Sequence, residues 1–111
     1  MRKSDAIRLQ HMLEAAREAM SFAAEKTRAN LEEDKMFALA LIREIEVMGE
    51  AASKVSEETK QQNPQIAWGD IVATRNRLIH AYFEVDLDIV WQTVVYELPP
   101  LSEALSKLVS L

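Results

Sequence analysis

Residues 70–82 read DIVATRNRLIHAY, and their spacing decides what kind of chain this is. Ile71, Val72, Leu78 and Ile79 return to one side at about 100° per residue, a helical period and not the alternation of a strand. Asp70 follows Gly69 and precedes the apolar pair, which places its carboxylate to cap a helix starting at about Ile71. Arg75, Asn76, Arg77 and His80 are polar groups that a packed helix does not need. Asn76 and His80 stand at i and i+4 and share a face, so the amide can orient the imidazole. Arg75 and Tyr82 share another face, which lies roughly 140° around an ideal helix from His80. One regular helix therefore does not bring Arg75 to His80.

Upstream, Ala6, Leu9, Leu13, Ala16, Met20 and Ala23 recur at helical spacing behind a cap at Ser4 or Asp5. Asn30 with Glu33 reads as a capping-box-like start. A second helix is expected from about Leu31 to Glu58, with Ala38, Leu41, Ile45, Met48, Ala52 and Val55 on one stripe. Two long stripes predict an antiparallel hairpin. Gly49 costs roughly 1 kcal/mol in a helix interior relative to alanine, so it needs a local reason: close approach of a neighbouring backbone, or a ligand. Met12, Met20, Met36 and Met48 read as core filler, His11 as a surface residue, and Glu14 with Glu18 as a surface pair.

Asn63-Pro64 predicts a short helical turn carrying Ile66 and Trp68 and ended by Gly69. Beyond the central stretch, Asp86 caps a helix with Leu87, Val90, Trp91, Val94, Val95 and Leu98 on its apolar face. Pro99-Pro100 should interrupt it before a last short helix through Leu101, Ala104, Leu105, Leu108 and Val109. The expectation is an all-α antiparallel bundle of four to five main helices, in a single domain over residues 1–111.

Composition agrees and narrows the function. Hydrophobic residues make up 49% of the 111 positions, with 2 glycines and 3 prolines, which favours long helices over disorder. With so few glycines a phosphate loop or dinucleotide fold is excluded in practice. There are no cysteines and 2 histidines, neither in an H-E-x-x-H setting, so neither a thiolate nor a zinc site is expected. No signal-peptide core and no membrane-length apolar run is present, from which a cytoplasmic location is expected. The net charge of −5 is unusual for a chain that handles nucleic acid. Locally, however, Arg75 and Arg77 lie in a segment with no acidic residue between Thr74 and Phe83.

Arg75-Asn76-Arg77-Leu78-Ile79-His80 resembles the Arg-polar-x-x-x-His signature of HEPN domains, small all-helical proteins found among ribonucleases and prokaryotic toxins. Arg75, His80 and Tyr82 together are similar to the R-x-x-x-x-H-x-Y motif of the toxins paired with a minimal nucleotidyltransferase (MNT) antitoxin. The similarity extends to Met48-Gly49-Glu50-Ala51, to Pro64-Gln65-Ile66-Ala67-Trp68, and to Val85-Asp86, Val90-Trp91 and Leu98-Pro99, in the expected order over most of the chain. Ala81 departs from it, standing where glycine is common. The resemblance implies a homodimeric endoribonuclease with its site at the dimer interface. It also implies that the antitoxin attaches AMP to Tyr82.

The residue types suit that chemistry. RNA is cut without metal when its 2′-hydroxyl attacks the adjacent phosphorus, given a proton acceptor, a proton donor and a cation for the developing charge. Arg75 and His80 supply suitable types: histidine as a class titrates near neutral pH, and a guanidinium stays charged and can contact two phosphoryl oxygens at once. Asn76 can hold the His80 tautomer or bind the ribose hydroxyl, and Arg77 adds positive charge for RNA. A single chain offers one candidate imidazole, and a twofold dimer supplies the second. Tyr82 reads as the AMP acceptor or, plainly, as a buried ring with its hydroxyl in water. A non-catalytic HEPN-like binding or assembly partner of a nucleotidyltransferase is the alternative. Neither reading calls for a cofactor.

Overall fold

The computed structural model describes residues 1–79 and 85–110, and these are helical with no strand among them. The all-α expectation is met. The elements are α1 (Lys3–Ala23), α2 (Arg28–Glu33), α3 (Lys35–Lys54), α4 (Glu57–Gln62), α5 (Trp68–Ile79), α6 (Leu87–Gln92), a π-helical turn (Thr93–Glu97) and α7 (Leu98–Val109). They fill an envelope of 42 × 28 × 19 Å. α3 is central, packed against α1 along one side and α5 along another, while α7 closes over α1.

The stripe residues make the core. Leu9, Leu13 and Ala16 of α1 are buried with all six stripe residues of the predicted second helix, Ala38 through Val55. Met12 and Met48 are core residues as expected, but Met36 is 82% exposed at the start of α3 and fills nothing. Just beyond the end of α3, the start of α4 is tied to α1 by Asp5. Instead of capping its own helix, Asp5 accepts from the Ser56 amide (2.9 Å), the Ser56 hydroxyl (2.6 Å) and the Thr59 hydroxyl (2.7 Å). Burial alone would raise its carboxyl, but the Ser56 and Thr59 bonds outweigh that and hold it below its ordinary value. The α1 N-cap is Arg2, with no side-chain cap bond, so the expected cap at Ser4 or Asp5 is corrected.

The long second helix is also corrected. It is three helices, because two side chains restart the ladder: Asp34 accepts from the Phe37 amide at 3.2 Å to begin α3, and Ser56 accepts from the Thr59 amide at 3.3 Å to begin α4. Asn30 is not a cap either. Its side-chain oxygen accepts from the Thr27 amide at 2.7 Å, so Thr27 starts α2.

Asn63-Pro64 forms a non-helical turn, pinned by the Trp68 indole donating to the Asn63 carbonyl at 3.0 Å. α5 then starts at Trp68, so Gly69 and Asp70 lie in its first turn instead of before it. Asp86 caps α6 as predicted, accepting from the Asp88 (3.0 Å) and Ile89 (3.3 Å) amides. Pro99-Pro100 does not break the rod. Neither ring can donate to a carbonyl four residues back, and each would clash with it in an α-helix. The chain widens to π winding over Thr93–Glu97, with the Leu98 amide bonding the Thr93 carbonyl, and both prolines follow in the first turn of α7.

Candidate functional site

Arg75 projects from α5 onto α3, and Gly49 makes room for it. A methyl group at position 49 would overlap the Arg75 Cβ and lie 2.7 Å from its Cγ, with the Ile71 carbonyl oxygen 3.4 Å away. As expected of a glycine that admits a neighbouring backbone, Gly49 lets α5 come close, and the stem of the motif arginine fills the space its missing side chain leaves. The next residue, Glu50, takes the guanidinium: Arg75 Nη2 lies 3.2 Å from Glu50 Oε2, with the arginine side chain 17% exposed and the glutamate 57%. Lys54 Nζ stands 3.8 Å from the other Glu50 oxygen. Arg75 Nε is buried and has no acceptor among the described residues. Glu50 was legible only as part of a resembling string, since no acid lies within four residues of Arg75 in sequence and the packing of α5 on α3 brings Glu50 there.

Asn76 and Arg77 are exposed. Asn76 does not share the Arg75 surroundings. It faces a shallow open groove with Trp68, Gly69, Val72 and Ala73 of α5 and Lys60 of α4. A Cβ on Gly69 would meet nothing within 4 Å, so this face of α5 is open. Within one chain Arg75 and Asn76 thus look in different directions, as helical geometry requires. His80 and Tyr82 lie outside the described residues.

Two other features escaped the sequence reading. A cleft of about 320 Å³ runs between α5 and the π turn, floored by Met48, Ile71 and Leu98 and rimmed by Asp70 and Glu97, with Tyr96 beside it. On the opposite side of α3, Glu44 faces Glu18 of α1, and burial followed by that carboxylate neighbour pushes Glu44 up to about 7, with Arg43 opposing. Glu14 and Glu18 are both exposed, as expected of a surface pair, and Glu18 also meets an acid from another helix. No group of three metal-ligating side chains occurs among the described residues, and no described helix is long and apolar enough to cross a membrane.

The fold is a small helical bundle whose central helix packs a glycine-glutamate step against an arginine of the following long helix. The profile of the family described as HepT-like, ribonuclease HepT-like, matches residues 12–108, and the chain belongs to this family of ribonuclease-like enzymes. It is 37% identical over 100 residues to a protein of Thermococcus cleftensis named "probable ribonuclease HepT", covering 86% of this chain and 91% of that one. It is 33% identical over 108 residues to a gamma-glutamylcyclotransferase of Methanocaldococcus jannaschii that also carries a provisional RNase assignment, covering 97% of this chain and 49% of that one. A provisionally assigned RNase of Caldanaerobacter subterraneus subsp. tengcongensis is 31% identical over 75 residues, or 68% of this chain and 67% of the relative. No solved structure gives a significant match.

Proposed function

We propose that this chain is the toxin of a toxin–antitoxin pair: a metal-independent endoribonuclease that works as a homodimer and is silenced when an MNT-type nucleotidyltransferase adenylylates Tyr82. The observation that carries the reading is Arg75. A solvent-facing arginine needs no notch, yet α3 gives up a side chain at Gly49 to seat this one with its guanidinium at the surface edge of the packing.

In this reading the 2′-hydroxyl of the RNA loses its proton to His80 of one subunit and attacks the adjacent phosphorus. The bond from phosphorus to the 5′-oxygen breaks, and His80 of the other subunit protonates the leaving oxygen. The products end in a 2′,3′-cyclic phosphate and a 5′-hydroxyl. Arg75 neutralises charge growing on the phosphoryl oxygens, Asn76 orients the imidazole or the ribose, and Arg77 holds the strand. AMP on Tyr82 would set a phosphate against these cations and exclude RNA by charge and bulk.

The non-catalytic partner reading draws on the net charge of −5 and on Glu50, which offsets the Arg75 charge. One experiment separates the two: RNA cleavage by the purified protein in the presence of EDTA, with His80→Ala and Arg75→Ala beside it. The enzyme reading expects EDTA-resistant cleavage with cyclic-phosphate ends, lowered on the order of 100-fold or more in either variant. Cleavage that needs magnesium, or that survives in folded His80→Ala, would overturn it. Tyr82→Phe should cleave RNA and resist neutralisation by an MNT antitoxin supplied with ATP.

A further inference from the structure

We infer that Glu50 is a positioning residue for Arg75: it locks the guanidinium in the orientation in which the arginine meets a scissile phosphate. The inference rests on the ribonuclease reading above and assigns a role to a residue outside the R-x-x-x-x-H-x-Y motif.

Three observations converge on it. The Arg75 stem is held from below, because the Gly49 notch receives Cβ and Cγ and leaves little freedom in the first part of the side chain. The distal part is held from one side, by the 3.2 Å contact of Nη2 with Glu50 Oε2. Glu50 is steadied in turn by Lys54 one helical turn on, whose ammonium lies 3.8 Å from Oε1. The lysine and the arginine engage different oxygens of one carboxylate.

The burial of Nε then decides which edge of the guanidinium can work. Nε has no acceptor among the described residues and no access to solvent, so a phosphate reaches Arg75 through the Nη1 and Nη2 edge. Glu50 lies against Nη2 as an ion pair at 3.2 Å, and the remaining Nη protons are those left for a phosphate. An arginine on a free stem would have to surrender rotamer freedom on meeting its phosphate, whereas here that freedom is already spent in the fold. The reverse role, in which Glu50 occupies the phosphate place and must be displaced, makes the opposite kinetic prediction.

The test is Glu50→Gln in the full chain, read by two measurements. The first is steady-state cleavage of a fluorogenic single-stranded oligoribonucleotide. A positioning role predicts kcat lower by about tenfold with KM changed by less than about twofold. The melting temperature should be preserved, since an ion pair with an exposed partner adds little stability. The second is the Nε–Hε resonance of Arg75 in the nitrogen-15-labelled protein, identified by its loss in Arg75→Lys. It should be resolved in the wild type, where burial slows exchange, and broadened in Glu50→Gln. Unchanged kcat overturns the inference, and so does a lower KM at constant kcat, which would make Glu50 a competing anion. If the wild type cleaves no RNA, the ribonuclease reading fails, and the resonance alone then decides whether Glu50 orders Arg75: an unaltered signal in Glu50→Gln refutes it.

Discussion

Gly49 sits where a helix interior loses roughly 1 kcal/mol by having glycine instead of alanine, and the notch it leaves is filled by the stem of Arg75. Replacing it tests whether the exchange matters. In Gly49→Ala the new methyl meets Arg75 Cβ, an atom fixed to the α5 backbone, so α5 must move away from α3 or the arginine must leave its seat. Overpacking of this kind costs typically ~1–3 kcal/mol, of which the better helix propensity of alanine returns part. The expected net loss is up to about 2 kcal/mol in urea unfolding. RNA cleavage should fall further than stability does, because the displaced residue is Arg75. A variant as stable and as active as the wild type would mean that the notch has no consequence.

At the scale of elements, α1 meets its neighbours α4 and α3 in opposite electrostatic senses. Near the N-terminus of α1, Asp5 is charged and satisfied by the Ser56 and Thr59 donors. Farther along, Glu44 faces Glu18, and a buried Glu44 oxygen has no donor among the described residues. Protonated, Glu44 can donate from that oxygen to the exposed Glu18 carboxylate. Because Glu44 titrates at about 7 in the folded chain against 4.5 ordinarily, the folded state binds more protons between those values. Its stabilising contribution is complete below about pH 4.5 and is lost as pH rises through 7. Glu44→Gln keeps a donor and cannot ionise. Its melting temperature should therefore fall less than that of the wild type between pH 5 and pH 8, by a few degrees in a paired thermal series. Parallel curves would show that the two carboxyls do not share a proton. Asp5 works in the other direction, since its contribution is present above the unfolded carboxyl value and is lost as pH falls through its lowered folded one.

At the scale of the whole molecule, the chain leaves apolar groups in water. Ile7, Leu39, Met36 and Ile79 are exposed, and the outer side of α5 around Gly69, Val72 and Ala73 is an open groove. Apolar side chains exposed singly are ordinary on a domain surface, so the reason to associate comes from the proposed chemistry, which needs two imidazoles and has one motif histidine per chain. Light scattering at micromolar concentration should report a dimer. A monomer at that concentration would remove the twofold site from the mechanism, leaving one imidazole for two proton transfers.

How much of this could be read without coordinates follows the range of the forces involved. Helical spacing, the stripes from Leu9 to Leu13 and Leu41 to Ala52, and the Asp86 cap were legible because each depends on residues within a turn or two of one another. Candidate residues Arg75 and Asn76 were legible as types at a spacing, as was their divergence around α5. Helix ends were misread where a side chain could serve either its own helix or a distant one. Asp5 looks like a cap in one dimension, yet it lies against Ser56, 51 residues away. The same holds at the site. Arg75 stands in an acid-free segment of sequence, and only the packing of α5 on α3 supplies Glu50 as its partner and Gly49 as its seat. Periodicity and capping chemistry are local and survive in the bare sequence. A carboxylate beside an arginine, or Glu18 facing Glu44, depends on which helices meet, and that is decided by the burial of the whole core.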